Sequence, residues 1–440
     1  MKKILLFGSG RSSPALINYL SEWAEKGALS LTVADSVIGS NNSFTRISYK
    51  QTDIHNELDR RNLIQESDLI ISLLPPSLHI VLAKDCLLYS KHFISASYIS
   101  PELQALDEEA KAKGLLFLME TGLDPGIDHL SAMKEIEEIK GEGGKITSFK
   151  SYTGGLVAPE SDDNPWNYKI TWNPRNVVLA GQGIVKYLEN KQYKYIPYHR
   201  LFTTTETVRV DGYGNFEGYA NRDSLKYIST YGLNDIATFL RGTLRKPGFC
   251  DAWNLLVQLG ITDDSYILEN SEHLTWFEFT LSFLKTKKDR KINHLLATLI
   301  NKGPGAREIY KLKWLGLLDD KKTGIPNATP AQLLQKLLEE KLAMKPEDKD
   351  MIVMQHIFVY DLNGKTHKRT ASLVLKGENK IYTAMAKTVG LPLGIAARLV
   401  LENKIKISGV QIPVVKEIYI PMLEALKEQG IEFKIMNYEL

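Results

Sequence analysis

Cysteine is nearly absent from this sequence: Cys86 and Cys250 are the two in 440 residues. A pair so far apart builds no disulfide framework and offers none of the close spacings of a metal site. A reducing, cytoplasmic setting is the expectation. Charge of one sign is equally scarce. Lys and Arg number 55 against 52 Asp and Glu, a formal net charge of +3. No field is available to wrap nucleic acid or to coat a membrane, so neither partner is expected. Long apolar runs are missing too. The charge-free stretch from Leu69 to Ala83 contains Pro75 and Pro76 and falls short of the ~20 apolar residues a spanning helix needs. After Lys2-Lys3 the apolar run Ile4–Phe7 ends in Gly8-Ser9-Gly10, too short for an export signal. What is present, 43% hydrophobic and 24% charged residues, is the balance of a globular protein of two or three domains.

The first 120 residues alternate strand and helix patterns. Strand-length apolar runs occur at Lys3–Phe7, Leu29–Ala34, Leu69–Leu74, His92–Ala96 and Leu115–Met119, with a weaker one at Arg46–Gln51. Amphipathic stretches at Pro14–Lys26, Asn56–Gln65, Leu78–Tyr89 and Pro101–Lys113 separate most of them. Such spacing predicts an α/β fold with a Rossmann-type, doubly wound parallel sheet. After Glu120 the pattern changes. A turn-rich loop leads to a helix near Asp128–Lys140, and strands are expected at Ile146–Tyr152, Lys169–Trp172 and Thr205–Val210. Mainly helix is expected over Leu233–Leu342, capped at one point by Thr329. Asp350–Asp361 and Lys368–Lys376 read as a hairpin across Asn363-Gly364, followed by a helix at Ile381–Glu402 interrupted at Gly390-Leu391-Pro392. The expected organisation is a dinucleotide-binding domain over 1–123, to which 393–440 returns. A mixed α/β substrate-binding domain covers 124–232 and 346–392 and carries a helical insertion over 233–345.

The chemistry-bearing motifs lie at strand ends. Gly8-Ser9-Gly10-Arg11-Ser12-Ser13 follows the first strand and opens a helix. There Gly8 can make the tight turn, and Gly10 lets backbone approach a pyrophosphate. Ser13 stands where Gly or Ala is usual. A merely tight turn is the plainer reading, but Asp35 ends the second strand about where an acidic side chain meets the adenosine ribose. A carboxylate there accepts ribose hydroxyls and repels a 2′-phosphate, and no Arg or Lys lies between Asp35 and Asn42. NAD is therefore expected over NADP; a solvated strand-end Asp35 is the alternative. Leu74, and Ser95-Ala96-Ser97-Tyr98, end two further strands at the expected ligand crevice, although small-residue packing and a core role for Tyr98 would also explain them. Asp124 either caps the helix begun at Pro125 or faces the ligand, with Leu123 beside it. His129 reads as a structural histidine.

Several blocks carry a resemblance. Gly122-Leu-Asp-Pro-Gly-Ile-Asp-His129 resembles the saccharopine dehydrogenases of the glutamate-forming type, also called saccharopine reductases. So do Ser151–Glu160, Tyr168–Pro174, Asn221-Arg-Asp-Ser224, Arg241-Gly-Thr-Leu-Arg245, Leu312-Lys-Trp-Leu-Gly316 and Thr383-Ala-Met-Ala-Lys387, in order along nearly the whole chain. Family members often read Tyr-Cys-Gly-Gly-Leu-Pro where this chain has Thr153 and Val157, so no thiol role carries over. Fungal members place a basic residue near the end of the second strand, and Asp35 departs from that.

The resemblance implies a cofactor site at Gly8, Ser9, Gly10, Arg11, Ser12, Ser13, Asp35, Leu74, Ala96, Ser97 and Leu123. Its implied substrate site comprises Ser97, Tyr98, Asp124, Arg222, Thr243, Leu244 and Arg245. Saccharopine presents three carboxylates, for which Arg222 and Arg245 are the implied anchors. Surface arginines are the plainer reading of that pair. The implied reaction takes saccharopine, NAD and water to L-glutamate, 2-aminoadipate 6-semialdehyde and NADH. Asp124 and Tyr98 are its acid/base candidates, and Thr153 is a water-orienting hydroxyl. A homodimer is expected. A carboxynorspermidine-type dehydrogenase and a catalytically silent dinucleotide-binding sensor or assembly protein are the alternatives. The paired arginines argue against the first, and the intact glycine turn against the second.

Overall fold

Short aliphatic runs bounded by Gly, Ser and Asp favour strands buried on both faces. In the computed structural model the first of these form β1 (Lys2–Phe7), β2 (Leu29–Asp35), β3 (Ile47–Gln51), β4 (Leu69–Ser72), β5 (His92–Ser95) and β6 (Leu116–Leu118). The structure describes residues 1–27, 29–38, 47–285 and 291–440. Arg46, expected to begin the third strand, lies outside the described residues, as does the 39–42 part of the stretch searched for cations. The described strands pair in parallel in the order Gly409–Gln411, β6, β5, β4, β1, β2, β3. The winding reverses between β1 and β4, and a ligand crevice opens at the carboxyl ends of strands at such a reversal.

The chain forms two compact units. The first takes in Met1–Lys145, Asp361–Lys365 and Leu373–Glu439; the second takes in Ile146–Tyr360 and Thr366–Ser372, with Leu440. Within the first, helix Ala384–Leu401 runs unbroken through Gly390-Leu391-Pro392, where an interruption was expected. A mid-helix proline costs about 3 kcal/mol, and here close burial offsets it. A Cβ on Gly390 would stand 2.9 Å from the Leu16 nitrogen, and one on Gly394 2.7 Å from the Tyr19 ring. The two glycines let this helix lie directly on Pro14–Glu25, the helix that the glycine turn opens. By length and composition Ala384–Leu401 is apolar enough to cross a membrane, but 78% of it is buried in the protein. The expected helix over Pro101–Lys113 divides into Pro101–Gln104 and Asp107–Ala112.

The second sheet, drawn mainly from the second unit, contains β7 (Lys145–Val157), β8 (Ile184–Glu189), β9 (Gln192–Pro197), β10 (Glu206–Val210), β11 (Gly214–Ala220), β12 (Thr238–Arg245), β13 (Asp350–Leu362) and β14 (Lys365–Lys376). Their order is β10-β11-β12-β7-β13-β14, with the β8–β9 ribbon off β12. The β13–β14 turn sits at Asn363-Gly364, both at positive φ (51° and 77°), as a two-residue primed turn requires.

Two sequence expectations fail in this unit. Residues 238–245 are not helix but the strand between β11 and β7. Seven of the eight β12 residues are buried, so no polar alternation marks the strand and the pattern reads as ambiguous. Lys169–Trp172 is not a strand either. Lys169 is anchored by Asp163 (2.8 Å) and Asp348 (2.6 Å), and Ile170 makes only an isolated bridge to Ala343. Beyond β12 come helices Phe249–Leu259, Trp276–Ser282, Ile292–Leu299, Arg307–Leu315 and Pro330–Lys341. The last is capped by Thr329 and Gln332 in a reciprocal capping box.

Candidate active site

The glycine turn after β1 leaves open backbone at the head of helix Pro14–Glu25. Gly8 holds φ +100°, with Leu73 packed 3.2 Å from where a Cβ would be, while the corresponding space at Gly10 is open to 4 Å. Ser13 is buried and its hydroxyl donates to the Gly10 carbonyl (2.8 Å), closing the turn with a side chain where Gly or Ala would pack passively. Ser12 is half-buried and Arg11 exposed at the rim.

Asp35 clamps this turn from the end of β2. Its Oδ2 accepts from the Ser9 N–H (2.6 Å) and the Ser9 hydroxyl (2.9 Å). Its Oδ1 accepts from the Val37 N–H (3.1 Å) and the Ser36 hydroxyl (3.3 Å). Burial pushes the carboxyl up, but these donors outweigh it and hold Asp35 below the ordinary carboxylate range.

At the ends of β4 and β5 a residue that the sequence reading overlooked organises the serines. His79 is buried, with Nδ1 3.0 Å from the Ser72 hydroxyl and Nε2 2.8 Å and 3.1 Å from those of Ser97 and Ser95. Burial lowers its pKa to about 4, so the ring is neutral at physiological pH. The available signal was a histidine seven residues past a strand-end serine, one helical turn inside the next element. Ser97 also accepts the Glu120 N–H at its carbonyl (3.1 Å).

Glu120 is fully buried. Its carboxylate accepts from the Ile99 N–H (3.1 Å) and meets His129 Nε2 at 2.8 Å, which makes His129 structural as expected. Asp124 is not the helix cap. The helix starts at Ile127 with Gly126 at the cap position, and the Gly126 N–H is taken by Asp128 (2.7 Å). Asp124 Oδ1 instead lies 3.5 Å from the Tyr98 hydroxyl, so these two expected groups are neighbours. Leu74 and Ala96 are half-buried and Leu123 buried beside them, with Ala96 against Gly122.

In the second unit the sheet itself gathers the expected residues. Register partners point to one face, and residues two apart on a strand share it. Thr153 on β7 is the partner of Thr243 on β12, and Thr243 that of Tyr219 on β11. All three therefore share a face with Arg245. Thr243 is hydrogen-bonded to the Tyr219 hydroxyl, whose pKa burial pushes up to about 12.

Arg245 is 4% exposed, and its guanidinium carbon lies 5.3 Å from the ring centres of Tyr168 and Phe249 and 5.9 Å from that of Tyr219. One Nη donates to the Leu244 carbonyl (2.9 Å), and Nε has no partner among the described residues. Among the described residues no carboxylate pairs with it. Glu217, its register partner on β11, directs its oxygens to the N–H groups of Gly248 (2.6 Å) and Cys250 (3.0 Å). Leu244 itself is buried, with its main chain against Gly154. Thr153 is buried, and among the described residues its hydroxyl is also unpartnered. Arg222, expected to match Arg245, is exposed, with a left-handed φ of 52°. Burial pushes the thiols of Cys86 and Cys250 up, which leaves neither a ready nucleophile.

Two family models cover the chain: the saccharopine dehydrogenase NADP binding domain over residues 4–118, and the saccharopine dehydrogenase C-terminal domain over 122–431. The chain belongs to the saccharopine dehydrogenase family. It is 34% identical to the saccharopine dehydrogenase [NADP(+), L-glutamate-forming] of Schizosaccharomyces pombe, across 99% of this chain and 98% of that one. It is 35% identical to the mitochondrial alpha-aminoadipic semialdehyde synthase of Rattus norvegicus across 99% of this chain, but spans only 48% of that relative's length. The apo saccharopine dehydrogenase (L-Glu forming) of Saccharomyces cerevisiae superposes with a TM-score of 0.88 at 32% identity over the full length of both.

These relatives correct the cofactor expectation. The matching N-terminal family model is an NADP-binding one, and the fungal saccharopine dehydrogenases are named for NADP(+), against the preference for NAD read from Asp35. The physical reason lies in the clamp. Asp35 was read as an open acceptor for ribose hydroxyls, but both its oxygens are taken by Ser9, Ser36 and Val37. A carboxylate occupied in shaping the turn says little about the ribose beyond it.

Proposed function

We propose that this chain catalyses the oxidation of saccharopine by NADP+ and water, giving L-glutamate, 2-aminoadipate 6-semialdehyde and NADPH. The observation that carries this reading is Arg245. A buried guanidinium without a carboxylate partner is costly to maintain, and the groups around it are donors and aromatic rings. A substrate carboxylate is the natural complement, bound through paired N–H groups. The names of the fungal relatives support the choice of substrate and cofactor.

The residues present fit a dinucleotide. Gly8, Gly10 and Ser13 shape an open cradle at the head of helix Pro14–Glu25, and a helix N-terminus favours a pyrophosphate. When bound, the dinucleotide would supply the acceptor for a hydride from the carbon on the lysine side of the secondary amine. The chain's own work is then positioning and proton transfer. Ser97, oriented by His79, and Ala96 would border the nicotinamide. Asp124 and Tyr98, already within 3.5 Å of each other, take the amine proton and return protons as the carbinolamine collapses. Thr153 orients the attacking water. Arg245 and Arg222 hold carboxylates, Arg245 as the principal anchor.

The test is the rise of NADPH fluorescence when the protein is mixed with saccharopine and NADP+. Stoichiometric release of glutamate is expected. No reduction of cofactor under these conditions overturns the reading.

A further inference from the structure

We propose that Tyr168 is a second substrate-binding residue, whose phenolic hydroxyl donates to the same carboxylate that Arg245 holds. The inference rests on the saccharopine reading above and adds a member to its site. Tyr168 is 1% exposed, yet among the described residues its hydroxyl has no hydrogen-bond partner. An unpaired buried hydroxyl loses its hydration without compensation, so each such group needs an explanation. The orphans here are not scattered. The Arg245 guanidinium lies over the Tyr168 ring, Arg245 Nε is itself unpartnered, and the unpartnered Thr153 hydroxyl shares the sheet face with Arg245.

The polarity of the cluster identifies its ligand. Arg245 Nε can only donate, and the two hydroxyls each have a proton to give. The nearby acceptors are already engaged: the Leu244 carbonyl by Arg245, and the Glu217 carboxylate by Gly248 and Cys250. A ligand with several lone pairs and one negative charge completes such a set. One carboxylate against one guanidinium balances the charge, and a neutral phenol adds a donor without adding a second cation.

The ring is also held as a binding residue must be. Asn164 donates to the Tyr168 carbonyl (3.0 Å), and the next residue, Lys169, is pinned between Asp163 and Asp348. Phe249 packs on the ring at a centroid distance of 5.2 Å.

Tyr168→Phe removes the hydroxyl and keeps the ring. Titration calorimetry of the full-length variant with saccharopine and, separately, with NADP+ should show saccharopine affinity down by roughly tenfold or more, the effect of one hydrogen bond to a charged group, with NADP+ affinity unchanged. Thermal melting without saccharopine should place the variant at or above wild type, because a buried orphan has gone. Unchanged saccharopine affinity overturns the proposal. If Arg245→Ala loses affinity in the same experiment, the function reading stands without Tyr168; if Arg245→Ala is also unchanged, both fall. A lowered Tm with both affinities lost in parallel marks Tyr168 as a packing residue and overturns the proposal as well.

Discussion

Around the strand ends of the first unit, polar side chains close on one another: Asp35 on Ser9, His79 on Ser72, Ser95 and Ser97, Glu120 on His129. On the β7–β12 face of the second unit, Arg245 Nε and the hydroxyls of Tyr168 and Thr153 close on nothing. The contrast separates two ways of building a site. On the proposed reading, a cradle for a cofactor common to many enzymes is made rigid by the chain alone, so that little order has to be created on binding. A face for a particular polyanion would then be left short of acceptors, for the substrate to complete. Open donors reject a ligand that cannot pair with them, which is how a buried polar site discriminates.

The largest expected effect breaks the open face. Arg245→Ala should weaken saccharopine binding by about 2–4 kcal/mol, since it strands a carboxylate in a buried site, and should leave NADP+ binding alone. Arg222, exposed rather than buried, should cost well under that; exposed pairs contribute about 0.2–1 kcal/mol. Calorimetric titration of the two variants checks the ranking, and equal losses would erase the distinction between a buried and a rim anchor.

A second test addresses the closed network. The folded-state pKa of His79, lowered by burial to about 4, lies below the ~6.5 of an unfolded histidine. Between those values the unfolded chain binds the extra proton, so stability is present above pH ~6.5 and is lost as pH falls towards 4. The contribution is on the order of 3 kcal/mol. His79→Asn should flatten the fall in unfolding free energy over that window, as denaturant titrations at stepped pH would show. A slope unchanged from wild type would mean that His79 is not held neutral.

How far the sequence reveals this contrast follows from the kind of signal each region emits. The parallel sheet is legible because its strands are short aliphatic runs at regular spacing, and the glycine turn because Gly8 and Gly10 stand at fixed offsets from β1. β12 is not legible, because a strand buried on both faces shows no alternation, and Arg241 and Arg245 make it resemble a polar helix. Thr153, Thr243 and Arg245 were singled out through the resemblance, but only the β7–β12 register shows that they share a face. Asp35 illustrates the opposite hazard. Its position in sequence is that of a ribose ligand, while its hydrogen bonds make it a brace for Ser9. His79 escaped notice, and Tyr168 stood out only as the start of a resemblance block, because a buried polar side chain looks like packing until its partners, or their absence, are seen.

The central claim is that the β7–β12 face of the second unit is incomplete without an anionic substrate. The measurement that tests it most directly is thermal melting of the Arg245→Met/Tyr168→Phe double variant with and without saccharopine. Replacing an unpaired buried charge and an orphan hydroxyl by apolar groups removes two unfavourable terms. The expected variant melts at or above wild type without saccharopine and gains nothing when saccharopine is added, while wild type gains. A double variant that melts well below wild type and is still stabilised by saccharopine would contradict it.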